Sequence, residues 1–176
     1  MNSLATKQEV MAEVYKYFKN DKTMTLLVGD MGFAVLDDFF NNHKDRTFNT
    51  GICEQATISM SAGMYLAGLS PIVYSQVPFL VMRAYEQIRY DLNEHKMNVK
   101  LIGVGADNYF STLGRSHCMD SDDVDMIKIF KKSKKGLEPA LTLSVSIQYF
   151  EPSFSLSHVV HHTRMASPPD KSKSVT

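Results

Sequence analysis

The order of apolar and polar positions over the first 130 residues alternates between helix-like and strand-like segments. Helical spacing predicts helices over 6–20, 33–41, 54–67, 79–93 and 122–130. Short apolar runs predict strands over 24–28, 47–49, 72–75 and 99–105. Thr6 followed by Glu9 is the capping-box pattern of a helix start. Strands that alternate with helices indicate βαβ units, so we predict an α/β fold with a parallel sheet and helices on both faces.

Two of these helices carry a prediction about which side chains face the core. The inward residues of 33–41 are expected to be Phe33, Leu36, Phe39 and Phe40. Those of 79–93 are expected to be Val81, Tyr85, Ile88 and Leu92. The helix over 54–67 is rich in small residues and is followed by Gly68, which is placed to end it. Small residues let another backbone come close, so this helix is expected to pack at a tight interface.

The character of the chain changes after Phe130. We therefore divide it into a domain over 1–130 and a divergent tail over 131–176 that is expected to be partly disordered. The tail opens with a basic run, and its only strand-like stretch, 141–150, has no clear helical neighbour. A histidine cluster at 158–162 lacks a nearby carboxylate or cysteine, so a solvated segment is the simpler interpretation.

Composition excludes several classes of function. The 176 residues carry 19 basic and 19 acidic side chains, so nothing favours nucleic acid or an anionic membrane as a partner. The longest apolar runs fall far short of the roughly 20 residues that span a bilayer, and the first residues lack the apolar core of a signal peptide. Cys53 and Cys118 are the only cysteines. Two lone cysteines are typical of reduced thiols, so the expected location is cytoplasmic.

Three polar loops follow predicted strands, over 29–32, 49–54 and 106–117. Because ligands bind beyond the carboxyl ends of parallel strands, we expect these loops to lie at one edge of the sheet. The segment 29–32 is not a phosphate-binding P-loop and contains no G-x-G-x-x-G, so these two routes to nucleotide binding are not supported.

Glu54 and His117 are the two candidate catalytic side chains in these loops. Glu54 begins a helix, where the helix dipole favours a carboxylate by about 0.3–1 kcal/mol. On position alone, a residue that only decorates the first helical turn is the simpler interpretation. His117 has the side chain best suited to moving protons near neutral pH, although a surface histidine is the plainer alternative. The spacing of Cys53, His117 and Cys118 matches no common zinc pattern, so no metal site is predicted.

Phe79 is a candidate binding residue because it begins the predicted helix 79–93 near the proposed ligand edge. Its ring could stack on a flat heterocycle, and core packing is the alternative. Arg83 and Arg89 lie further along the same helix.

Three ordered motifs carry a resemblance to a known family. They are G-I-x-E-Q-x-x-x-x-x-x-A-G at 51–63, R-A-x-E-Q-I-R at 83–89 and G-x-S-H at 114–117. With these motifs, residues 24–130 resemble the pyrimidine domain of transketolases. The stretch is most similar to the separate C-terminal subunit of two-chain, transketolase-like proteins.

The resemblance implies a thiamine-diphosphate-binding fold of the pyrimidine type and roles for four residues. Glu54 matches the glutamate that bonds the aminopyrimidine ring and promotes its imino tautomer, whose nitrogen takes up a proton. Phe79 is the nearest match to the aromatic ring that stacks on the pyrimidine. His117 matches a histidine that faces the substrate's oxygen atoms, and Asp30 matches an acidic position that lines the cofactor region.

The same resemblance implies that this chain holds half of a site. The diphosphate and Mg²⁺ would be bound by another domain through a G-D-G motif, which is not present here. We therefore expect a second subunit that carries the diphosphate-binding domain, in a homo- or hetero-oligomer. The residues after Phe130 do not resemble the family, which suggests a truncated, alternatively spliced or frameshifted product. Loss of the family's next strand would leave an exposed sheet edge.

The function that the resemblance implies is transfer of two-carbon ketol units between sugar phosphates, by a transferase that is active only with its partner subunit. Two alternatives stay open. One is the β-type subunit of a 2-oxo-acid dehydrogenase or a relative of deoxyxylulose-phosphate synthase. The other is a truncated, non-catalytic remnant that binds a partner or does nothing.

Overall fold

The computed structural model describes residues 6–105, 109–119, 126 and 142–146 of the chain. The α-helices are α1 (Lys7–Phe18), α2 (Asp37–Asn42) and α3 (Glu54–Leu66). The strands are β1 (Met24–Val28), β2 (Thr47–Asn49), β3 (Ser70–Gln76), β4 (Lys100–Val104) and β5 (Thr142–Ser146). Residues 79–94, here called the π-rich helix, consist of Phe79–Arg83 and Ile88–Glu94 in π conformation with the α turn Tyr85–Gln87 between them. Short 3₁₀ turns at Ser111–Leu113 and Arg115–His117 follow β4.

The five strands form one sheet in the order β2-β1-β3-β4-β5, and every pairing is parallel. The predicted parallel sheet is therefore confirmed, and the strand predicted over 72–75 extends to Ser70–Gln76. β5 falls inside the predicted strand-like stretch 141–150. It pairs with β4 from Lys100 opposite Thr142 to Val104 opposite Ser146. The exposed edge expected from loss of the family's next strand therefore does not lie at β4, because β5 supplies backbone partners there.

Helices cover both faces of the sheet, as predicted. On one face, α1 and α2 pack on the strands through a cluster that includes Phe18, Phe39 and Leu26. On the other face, α3 and the π-rich helix pack through a cluster that includes Ile58 and Leu27. Neighbouring residues of a strand point to opposite faces. A strand buried on both sides therefore favours apolar residues at nearly every position, and β1 is apolar except for the buried Thr25.

The start of α1 follows the predicted capping chemistry, whereas the start of α2 differs from its prediction. Thr6 caps α1, and Glu9 completes the predicted capping box. The helix predicted over 33–41 instead begins at Asp37, and Phe33 is 80% exposed rather than inward. Ala34 has a φ of 64°, in the left-handed region that an α-helix excludes. The backbone therefore forms a turn over residues 32–36 before α2 begins, and Phe33 lies outside the helix.

The π-rich helix differs from the predicted regular α-helix. Val81, Ile88 and Leu92 are buried as expected, but Ala84 takes the inward position predicted for Tyr85, which is half-buried. Bonding from residue i to i+5 adds a residue to the turn, so the inward face shifts relative to α-helical spacing. π segments are frequent at functional sites.

Several predictions about the C-terminal part lie largely outside the described residues. Of the helix predicted over 122–130, only position 126 is described, and it is helical. The basic run and the histidine cluster at 158–162 lie wholly outside, and the domain boundary at residue 130 stays a prediction. Within the described ranges, no helix is long and apolar enough to cross a membrane.

Candidate active site

The strand order places a crevice at the carboxyl ends of β1 and β3. The chain runs from β1 to β2 on one side and then to β3 on the other side of β1. This reversal is where open α/β sheets bind ligands, because the connections leave β1 and β3 in opposite directions. The two strand ends are close at Gly29, where an added Cβ would lie 2.8 Å from Oγ of Ser75. A larger residue at position 29 would therefore push into β3.

Glu54 lies at this edge as the first residue of α3, and it is 3% exposed. The loop before it is fixed by the Asn49 side chain, whose Oδ1 accepts a hydrogen bond of 2.9 Å from the amide of Gly51. Thr50 donates its amide to the carbonyl of Val28 at 2.9 Å, which ties the loop to the end of β1. These contacts bring the start of α3 back over the carboxyl edge of the sheet.

Arg83 of the π-rich helix holds the Glu54 carboxylate. Its Nη1 donates to Glu54 Oε2 at 2.7 Å, and its side chain is 36% exposed. The same guanidinium lies over the ring of Phe79, with its central carbon 4.2 Å from the ring centroid. One planar cation therefore contacts both a buried carboxylate and an aromatic face.

His117 joins this group through Phe79. The two rings meet edge to face, with centroids 4.9 Å apart and an interplanar angle of 77°. Gln76, the last residue of β3, donates its Nε2 to the His117 carbonyl at 3.0 Å and so fixes the loop. The His117 Nδ1 lies 3.1 Å from the Ser116 hydroxyl. The half-buried imidazole is therefore positioned by both its backbone and its ring.

Asp30 lies at the same edge in a separate hydrogen-bonded pair. Its Oδ1 accepts from Asn49 Nδ2 at 2.8 Å, and its carboxylate is exposed. Its backbone has a φ of 50°, in the left-handed region that Asp tolerates better than most residues. The loop thus turns sharply after β1 and points an acidic side chain outward.

Tyr74 forms the floor beneath this loop. A Cβ added at Gly32 would lie 3.1 Å from the Tyr74 ring, which is buried in β3. Burial raises the pKa of Tyr74 to about 12, so the phenol stays neutral at physiological pH.

The structure therefore brings together three of the four predicted site residues in one connected group: Glu54, Phe79 and His117. Two contributors were not assigned a role from the sequence. The sequence places Arg83 in a motif and on the same predicted helix as Phe79 without giving it a role, although its four-residue spacing from Phe79 is a usable signal for a shared helix face. Gln76 carried no signal. Among residues 6–105, 109–119 and 126, no group of three His, Cys, Asp or Glu side chains could hold a metal ion.

Comparison with known families decides the assignment. Residues 2–122 match the model of the transketolase pyrimidine-binding domain. The chain belongs to this family. The motifs at 51–63, 83–89 and 114–117 all fall within the match, so the family resemblance is confirmed.

The curated relatives include transketolase subunits and a 1-deoxy-D-xylulose-5-phosphate synthase. The chain is 31% identical over 113 residues to a subunit of the apulose-4-phosphate transketolase of Actinobacillus succinogenes, covering 64% of this chain and 36% of that protein. It is 32% identical over 99 residues to 1-deoxy-D-xylulose-5-phosphate synthase of Syntrophomonas wolfei, covering 55% of this chain and 15% of the relative. The chain thus spans about a third or less of the length of these relatives.

A solved structure supports the fold. A protein described as a split-gene transketolase, inactive beta4 tetramer, superposes with a TM-score of 0.54 at 24% identity, over 70% of this chain and 38% of that one. At this identity the likeness shows the fold alone, and it confirms an α/β pyrimidine-type domain.

Proposed function

We propose that this chain supplies the pyrimidine-binding half of a thiamine-diphosphate active site that transfers two-carbon ketol units between sugar phosphates. The observation that carries the proposal is Glu54, a buried carboxylate linked through Arg83 to the aromatic face of Phe79 at the carboxyl edge of the sheet. Family membership over residues 2–122 supports it.

The residues present fit the pyrimidine end of the cofactor. Glu54 and Phe79 together hold the guanidinium of Arg83, a flat group that donates N–H to the carboxylate and stacks on the ring. A protonated aminopyrimidine has the same two properties, planarity and an N–H donor. The pair is therefore chemically suited to a flat nitrogen heterocycle.

Thiamine diphosphate, when bound, supplies a thiazolium ring that stabilises a carbanion. Glu54 would hold or release a proton at the ring nitrogen it faces, and the dry environment of its carboxylate strengthens that contact. Phe79 would hold the ring by aromatic stacking. His117 would hydrogen-bond substrate oxygens, and Asp30 would line the approach.

A second subunit would complete the site. This chain has no G-D-G motif, so the diphosphate and Mg²⁺ would be bound by a partner domain across a homo- or hetero-oligomeric interface. The name of the Actinobacillus succinogenes relative describes one subunit of a transketolase, which supports an assembly of more than one kind of chain.

The test combines this chain with a candidate partner subunit, thiamine diphosphate, Mg²⁺ and sugar phosphates, and measures ketol transfer. Glu54→Gln keeps the shape of the side chain and removes its proton-transfer role, so we expect turnover to fall by about 10²–10⁴-fold. Glu86→Gln, an exposed carboxylate on the π-rich helix, is the matched control and should leave turnover unchanged. Equal turnover for Glu54→Gln and wild type in an intact assembly would remove Glu54 from the mechanism.

The second candidate is the role of a deoxyxylulose-phosphate synthase relative or of the β-type subunit of a 2-oxo-acid dehydrogenase, and the similarity to 1-deoxy-D-xylulose-5-phosphate synthase favours it. Both candidates use the same half-site, so the donor substrate that the enzyme accepts distinguishes them. Turnover with a 2-oxo acid and none with a ketose phosphate would support the second candidate. Assembly with the partner but no turnover on either donor would support the non-catalytic alternative.

A further inference from the structure

We propose that Arg83 holds the place of the pyrimidine ring in the lone chain, so that the cofactor binds only by displacing Arg83 from both Glu54 and Phe79. This inference rests on the proposed function, because it concerns the same two contact residues. It adds a direct competitor for the site, which this chain itself provides.

The geometry supports competition for one location. The Arg83 guanidinium is 2.7 Å from the Glu54 carboxylate and 4.2 Å from the Phe79 ring centroid. A ring that bonds the same carboxylate oxygen of Glu54 and stacks on the same face of Phe79 needs the volume that the guanidinium fills. The guanidinium and the ring cannot both be there.

The chemistry of the guanidinium explains why it occupies this location in the lone chain. It is planar, permanently charged, stacks on aromatic faces and donates N–H groups in its plane. Glu54 is nearly closed to solvent, so its carboxylate needs a donor that the protein provides. Arg83 satisfies the carboxylate until another flat donor takes over.

The Arg83 side chain can also leave this position for solvent. Its side chain is 36% exposed whereas that of Glu54 is 3% exposed, so the arginine can extend into water while the carboxylate stays in place. The exchange needs only rotation of one side chain on the π-rich helix. Poor cofactor binding by the lone chain would then have two causes, missing phosphate ligands and Arg83 itself.

A phosphate-free probe separates these two causes. We would titrate hydroxymethyl-aminopyrimidine, the half of thiamine that lacks phosphate, into the full-length chain without partner and measure its Kd by calorimetry. Arg83→Met removes the competing cation while keeping a long apolar side chain. The matched control is Arg89→Met, which removes an exposed arginine of the same helix that lies over Tyr90 instead.

We expect Arg83→Met to bind the probe about tenfold more tightly than wild type, and Arg89→Met to bind it as wild type does. Adding Glu54→Gln to Arg83→Met should abolish the gain. If Arg83→Met unfolds, Arg83→Gln, which keeps an N–H donor without the charge, should still give part of the gain.

Two failures are distinguishable. Equal or weaker binding by the folded Arg83 variants, with binding lost in Glu54→Gln, would overturn the role of Arg83 and leave the proposed function standing. Binding that is absent throughout or indifferent to Glu54→Gln would overturn both.

Discussion

The ion pair between Glu54 and Arg83 makes the stability of the chain depend on two residues that are distant in sequence. Replacing Arg83 with Met leaves a carboxylate that is 3% exposed without its donor at 2.7 Å. Glu54→Gln in the same chain removes the buried charge while keeping the volume. The double variant should therefore recover most of the stability that Arg83→Met alone loses.

The magnitude follows from the burial of the two partners. Breaking a fully buried ion pair by removing one partner costs about 3–5 kcal/mol, and an exposed pair is worth about 0–1 kcal/mol. Here one partner is buried and the other is 36% exposed. We therefore expect Arg83→Met to lower the free energy of unfolding by about 2 kcal/mol, between these limits. For a chain of this size, that lowers Tm by about 4–8 °C.

Urea unfolding followed by circular dichroism, for wild type, both single variants and the double variant, measures the coupling. Arg89→Met serves as the control and should stay within about 0.5 kcal/mol of wild type, because it changes an exposed position. The reasoning is refuted if the losses of the two single variants simply add in the double variant, since residues that do not interact behave in that way. It is also refuted if Arg83→Met is as stable as Arg89→Met.

Three further predictions concern the scaffold. The buried Arg46 donates hydrogen bonds to the carbonyls of Asp21 and Met24 at 2.8 and 3.1 Å. Arg46→Met removes the donor from both carbonyls, so it should lower the free energy of unfolding measured in urea by about 2–4 kcal/mol. A loss below about 0.5 kcal/mol would contradict this. Between pH 10 and 12 the unfolded chain releases the Tyr74 proton before the folded chain does, because burial raises the pKa of Tyr74 to about 12. The free energy of unfolding should therefore fall with rising pH by up to about 3 kcal/mol, with the loss complete above the folded pKa. Tyr74→Phe should lack this part of the decline, and parallel pH profiles for the two proteins would be evidence against it. Thr6→Ala removes the side-chain acceptor for the Glu9 amide, so it should lower the free energy of unfolding by about 1 kcal/mol and speed amide hydrogen exchange in the first turn of α1. Unchanged exchange there would be evidence that Thr6 does not stabilise the helix start.

Much of the scaffold could be predicted from the sequence because it depends on neighbours along the chain. The capping box at Thr6, the apolar run of β1 and the start of α3 at Glu54 are short-range signals, and each element is present. Phe33 is the exception among these predictions from short-range signals. Spacing alone placed it on a helix, but the left-handed backbone at Ala34 delays the helix start.

The motifs identified the family and three residues that the fold brings together, but they did not reveal the geometry between them. Arg83 and Glu54 are 29 positions apart, and the contact of Phe79 with His117 joins segments on either side of β4. Sequence periodicity cannot reveal such pairs, because it reflects only the spacing of residues that are near one another along the chain. The π-helical hydrogen bonding that orients Phe79 and Arg83 likewise depends on how residues 79–94 pack against α3 and the sheet.

The sequence by itself determined the α/β class, the parallel arrangement of the strands and the family, since these follow from local periodicity and short motifs. Only the tertiary structure decided that Glu54 is buried, that Arg83 occupies the space between it and Phe79, and that β5 covers the edge of β4. The physical reason is that burial and ion pairing depend on which distant segments meet. That depends on the packing of the whole sheet and its helices.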